Sequence, residues 1–185
     1  FEAIAAGGIN GDYLEFGVYR GRSMGMAFAL AREFGLKDMR FFAFDCFDGL
    51  PSDEGHYVKG VAQCSRASFT KNIRMWGMDT RRLVIVEGLY SESLTDDLKK
   101  RNNLQKAAIV HVDSDLYVSA KDALRFIEDV VQPGSIMIFD SWHDFDGEAQ
   151  PAAELGEQKA FGEWPLRTSF EDYFDSARGR AFVMR

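Results

Sequence analysis

Five short apolar runs, each followed by a stretch of helical character or by a loop that leads into one, set the tightest limit on what this chain can fold into. The runs are Tyr13 to Val18, Arg40 to Asp45, Leu83 to Glu87, Ala108 to Asp113 and Ser135 to Asp140. Each is strand-sized and rich in aromatic or β-branched residues, which suit a pleated surface. Between them, Met24 to Phe34 and Ser68 to Met75 read as helices, and Thr95-Asp96-Asp97 reads as the cap of a short helix through Lys100. Ser119 to Val131 reads as a strongly amphipathic helix, with Leu124, Ile127, Val130 and Val131 on one face. Strand alternating with helix predicts an α/β fold, a Rossmann-like doubly wound sheet covered on both faces. Glu148 to Trp164 reads as mostly helical with a break near Gly156. Phe170 to Phe174 and Arg180 to Met184 read as a closing hairpin across Ser176 to Gly179, so the mostly parallel sheet is expected to end in an antiparallel edge.

At 185 residues the chain suits a single domain spanning 1–185. With 46% hydrophobic residues, 16 Phe, 6 Tyr and 3 Trp, it has ample surface to bury. A net charge of −7 argues against a general nucleic-acid binder, so no nucleic-acid partner is expected. No apolar run reaches the length of a membrane span, and the start at Phe1 shows no signal-peptide pattern. Cys46 and Cys64 form neither a disulfide framework nor a zinc-type spacing, which mildly favours a reducing, cytoplasmic setting.

In open α/β sheets ligands bind beyond the carboxyl ends of the strands. Polar and glycine residues stand at those ends here: Gly17 and Gly21 after the first run, Asp45 at the second, Glu87 at the third, Asp113 and Asp115 at the fourth, and Asp140, Ser141, His143 and Asp144 at the fifth. The turn Glu15-Phe16-Gly17-Val18-Tyr19-Arg20-Gly21-Arg22-Ser23 lacks the G-x-G-x-x-G of a pyrophosphate cradle, and Glu15 suits a cationic or amine-bearing ligand better than a phosphate. Asp45 sits where a carboxylate can accept from both ribose hydroxyls, or simply fix a turn. Asp113, Asp115 and Asp140 would repel one another unless a cation or proton sits among them, which fits Mg²⁺. The alternative is that Asp113 bonds backbone amides while Asp115 caps the next helix. His143 is open to roles as base, metal ligand or substrate contact, and His111 reads as a core histidine. The long loop 47 to 64, with His56 and Tyr57, reads as cover for a site. Trp142 and Trp164 read as packing or as walls of an acceptor pocket.

The segments YLEFGVYRGRS, FAFDCFDGLP, VEGLYSESL, HVDSDLYVSAKDAL and GSIMIFDSW, in this order, resemble the macrocin O-methyltransferase family of class I S-adenosylmethionine-dependent methyltransferases. The resemblance implies that Glu15, Gly17 and Gly21 bind the methionine part of the cofactor and Asp45 its ribose. The fuller set expected at the cofactor adds Ser23, Glu87 and Asp113. It further implies Mg²⁺ at Asp113 and Asp140 and a general base at Asp115; from their place after the fifth run, Asp144 is expected as a further metal donor and His143 as the alternative proton acceptor. Where the family has a second aspartate after Asp140, this chain has Ser141. The expected partner is a small-molecule hydroxyl substrate of sugar or phenolic type, and a homodimer is consistent with the resemblance. Two rivals stay open, a nicotinamide-dependent oxidoreductase and a non-catalytic binding module on the same fold.

Overall fold

In the computed structural model, which describes residues 1–143 and 154–185, the five runs are parallel strands of one sheet. They are β1 (Asp12–Phe16), β2 (Phe41–Asp45), β3 (Leu83–Glu87), β4 (Ala107–Val112) and β5 (Ile136–Phe139). β6 (Phe170–Asp175) and β7 (Arg180–Met184) complete the sheet as an antiparallel edge, in the order β3-β2-β1-β4-β5-β7-β6. Strand order reverses between β1 and β4, where Glu15 pairs in register with His111, and Phe16 with Val112. That reversal is the topological switch point at which open α/β sheets bind ligands.

Alternation along the strands sends side chains to two cores. Leu14, Phe16, Phe42, Phe44, Val110, Val112, Met137 and Phe139 pack on one face against α5 (Asp96–Arg101), α6 (Tyr117–Ile127) and α7 (Gly156–Glu163). Tyr13, Phe41, Ala43, Ile109 and Ile136 pack on the other, against α1 (Glu2–Ala6), α2 (Arg22–Glu33) and α3 (Arg66–Met75). Glu15 and His111 belong by parity to this second face, so their burial places polar groups in an otherwise apolar layer. α2 buries Met24, Ala27, Phe28 and Ala31 at helical spacing, and Thr95 caps α5 by accepting from Leu98 N.

The elements differ from the sequence reading mainly at their ends. β1 stops at Phe16 rather than Val18 because Gly17 turns the chain at φ 89°. α6 begins at Tyr117 and ends at Ile127, after which Val130 bonds back to Ile127 O in a turn and still buries its side chain. α1 and the short α4 (Tyr90–Ser93) carry too little periodicity to be read in advance. Of the stretch read as helical from 148, residues 148 to 153 lie outside the described residues. The loop 47 to 64 holds turns and a bridge between Glu54 and Tyr57, and its neck is closed by Leu50 N donating to Val61 O and Gly60 N to Leu50 O, both at 2.9 Å. No helix among the described residues is long and apolar enough to cross a membrane.

Candidate active site

The carboxyl ends of β1, β2, β4 and β5 open onto one cavity of about 340 Å³, within the ordinary range for a small-molecule site. Gly17, Asp45, Asp113, Asp115 and Asp140 line it, joined by Tyr57, Gly88, Tyr90 and Arg178. These residues are distant in sequence, and the switch point brings them together.

Gly17 is dictated by close approach as well as by its left-handed φ. A Cβ there would lie 1.9 Å from the carbonyl oxygen of Asp113, so β1 and β4 can run side by side to their ends only with glycine at this position. Asp45 organises the turn that follows. Its Oδ2 accepts from Val18 N at 2.9 Å and Tyr19 N at 3.1 Å, and its Oδ1 accepts from Phe47 N at 2.7 Å. The carboxylate thus ties the exit of β1 to that of β2 while still lining the cavity.

Glu15 and Ser23 meet behind the cavity wall. Glu15 is fully buried; its Oε1 accepts from the Ser23 hydroxyl at 2.6 Å and its Oε2 from the Tyr13 hydroxyl at 2.7 Å. The Tyr13 oxygen lies 3.1 Å from Nδ1 of His111, whose Nε2 is buried without a hydrogen-bond partner, 4.0 Å from Asp140 Oδ1. Burial alone would lower the His111 pKa, but the nearby carboxylates of Glu15, Asp113 and Asp140 outweigh it and raise the value. His111 is therefore a buried polar link between the first turn and the acidic cluster.

Asp113 is strongly perturbed within that cluster. Desolvation, with the charges of Asp140, Asp115 and Glu15, raises its pKa from 3.8 to about 7 against the opposing pull of His111. Asp115 stands at φ 59° and accepts from the Ser141 hydroxyl at 2.7 Å. It does not cap α6: the helix has Leu116 at its N-cap, and Tyr117 N donates instead to Glu54 Oε2 at 2.8 Å.

Other expected site residues fall outside the cavity lining. Gly21 is pressed against α3, where a Cβ would lie 2.8 Å from Ile73 and 2.9 Å from Phe69, a packing constraint. Glu87 is exposed and pairs with Arg66 at 2.9 Å, while its neighbour Gly88 reaches the cavity. His143 Nε2 lies 2.8 Å from Asp175 Oδ1 on β6. Asp144 lies outside the described residues. Trp142 and Trp164 sit in the aromatic core with Phe139, Phe161 and Phe170, so packing is their role here.

Three residues not singled out from sequence shape the site. Buried Glu157 accepts from Ser114 N at 3.3 Å and Ser141 N at 3.1 Å, bracing the turns after β4 and β5, and desolvation holds its pKa well above the usual range. Glu54 bridges the long loop to two helix starts, accepting from Tyr117 N and, at 2.7 Å, from Gly156 N. Arg178, in the turn between β6 and β7, brings a guanidinium nitrogen to 3.8 Å from Asp140 Oδ2. The spacing of the chain carries no local signal for any of the three.

The donor set among the described residues suits a divalent cation poorly. Among the described residues no three His, Cys, Asp or Glu side chains gather as a metal site would require. The Ser141 hydroxyl, where a further carboxylate would stand, is already given to Asp115.

Comparison with known proteins agrees with this architecture. Residues 1–161 match the family model described as macrocin-O-methyltransferase (TylF). The 8-demethyl-8-(2,3-dimethoxy-alpha-L-rhamnosyl)-tetracenomycin-C 4'-O-methyltransferase of Streptomyces olivaceus is 26% identical over 177 residues, covering 83% of this chain and 66% of that protein. Mycinamicin III 3''-O-methyltransferase of Micromonospora griseorubida is 23% identical over 154 residues, covering 76% of this chain and 59% of that protein. The chain thus spans between 59% and 66% of the length of these relatives. The structure of the O-methyltransferase NovP superposes with a TM-score of 0.80 at 20% identity, over 99% of this chain and 75% of that one. CalS11, a calicheamicin methyltransferase, superposes with a TM-score of 0.75 at 23% identity, over 98% and 74%. At these identities the structural likeness carries the fold, which is that of a class I methyltransferase. The family match, covering most of the chain, carries the membership: this chain belongs to the macrocin O-methyltransferase family.

Proposed function

We propose that this chain is an S-adenosylmethionine-dependent O-methyltransferase acting on a hydroxyl of a small molecule of sugar or phenolic type. The observation that carries the reading is the convergence of Gly17, Asp45, Asp113, Asp115 and Asp140 on one cavity at the switch point. The relatives are named for methylating oxygen on rhamnosyl, mycinamicin and novobiocin-type scaffolds, which supports the acceptor class.

When bound, the sulfonium cofactor supplies an already activated methyl group, so the protein's task is alignment and removal of a proton. Asp45 and the backbone about Gly17 form the cofactor end of the cavity. Asp113, Asp115 and Asp140 form the acceptor end, where a hydroxyl can donate to a carboxylate. Asp115 takes the proton, held in place by the Ser141 hydroxyl at 2.7 Å and by the turn that Glu157 braces. Mg²⁺ assistance would ask Asp113 and Asp140 for its ligands, and the donor set among the described residues supports it poorly.

The test is transfer of a labelled methyl group from the cofactor to a panel of rhamnosides and phenols. The expected product is an O-methyl ether, with turnover lowered at least about 100-fold in Asp115→Asn. Label on nitrogen or carbon, or wild-type turnover in Asp115→Asn, would overturn the assignment.

A further inference from the structure

The surroundings of Asp140 contain a cation of the chain's own. Its Oδ2 lies 3.8 Å from the guanidinium of Arg178, and its Oδ1 lies 4.0 Å from the buried, unpartnered Nε2 of His111. Arg178 is carried by a turn whose backbone is fastened to the exit of β5. His143 N donates to Arg178 O at 2.8 Å, and Ser176 N to Gly179 O at 3.0 Å. Gly179 packs so closely that a Cβ on it would lie 2.5 Å from Phe139 O. The guanidinium thus reaches the cavity from a braced position, although its side chain is well exposed.

Beside it, Ser141 is buried and committed. Its hydroxyl donates to Asp115 and its amide to Glu157. A neutral hydroxyl contributes no charge to a metal shell, and Mg²⁺ demands near-octahedral oxygen ligation. A cation entering between Asp113 and Asp140 would also meet the like charge of Arg178. Arginine stays protonated throughout the working range and presents fixed donors to oxygen-bearing ligands.

We propose that Arg178 supplies the positive charge at Asp140 that a divalent cation would otherwise supply, and that this site takes up no Mg²⁺. The inference rests on the O-methyltransferase reading only for the identity of the site, and its test is independent of turnover. Mn²⁺ is titrated into the full chain with the free ion followed by electron paramagnetic resonance, and Mg²⁺ is titrated by calorimetry. Wild type is expected to show no saturable uptake through the low-millimolar range. The double variant Ser141→Asp/Arg178→Gln adds a carboxylate and removes the guanidinium, and is expected to bind Mn²⁺ at least about tenfold more tightly. Stoichiometric micromolar binding by wild type would overturn the proposal, as would a double variant that gains nothing while retaining the wild-type melting profile. If that variant fails to fold, Arg178→Gln alone serves, with the same direction expected and no gain again counting against the proposal. S-adenosylhomocysteine titrated into the same samples reports on the cofactor reading separately, so the two can fail independently.

Discussion

A methyl group at Gly17 would sit 1.9 Å from the carbonyl oxygen of Asp113, on a residue that already holds φ at 89°. Gly17→Ala must therefore separate β1 from β4 or twist the turn, and is expected to cost at least about 3 kcal/mol of stability in denaturant unfolding. A loss under about 1 kcal/mol would show that the two strand exits can part freely. Asp113 makes a prediction with a definite sign. Its carboxyl ionises near 7 in the folded chain and near 3.8 when unperturbed, so between those values the unfolded chain ionises first and folding loses stability as pH rises. The loss is complete above the folded value. Asp113→Asn removes it, so the ligand-free variant should match wild type near about pH 4 and exceed it by a few kcal/mol at about pH 8. A variant less stable than wild type at the higher pH would contradict the burial argument.

Among the elements, the loop 47 to 64 depends on Glu54, which accepts from the first amides of both α6 and α7. A carboxylate at a helix start is favoured by the exposed amides and by the helix dipole. Glu54→Ala should cost about 1–3 kcal/mol and speed amide exchange in residues 47 to 64 and at the start of α6 together. Faster exchange in the loop alone would mean that the bridge is not shared. The elements also show what a linear reading reaches. All five parallel strands and the closing hairpin were legible, because alternation and turn residues are local, and so were Asp45, Asp113 and Asp140, because strand ends converge in this fold. Glu54, Glu157 and Arg178 were not. Glu54 meets Gly156 across 102 positions and Glu157 meets Ser114 across 43, and a lone acidic residue in a loop or helix looks like any solvated one until the packing is known. Gly21 was legible as a constrained glycine, but its reason, the side chains of α3, was not.

For the molecule as a whole, a parallel sheet reversing at β1 and β4 creates a cavity lined by the carboxylates of Asp45, Asp113, Asp115 and Asp140 together with apolar residues such as Leu50, Val61 and Leu89. The antiparallel β6–β7 edge extends that sheet and delivers Arg178 to the cavity rim, so the last elements of the chain help to build the site. On the proposed function, this cavity holds S-adenosylmethionine with Asp45 at its edge. Calorimetric titration of the ligand-free protein tests it most directly, with Asp45→Ala measured alongside. Saturable one-to-one binding by wild type, weakened at least about tenfold in the variant, is the predicted result. Folded protein that shows no heat of binding at any cofactor concentration would contradict the account, and the Gly17 turn and Asp45 would then serve the fold alone.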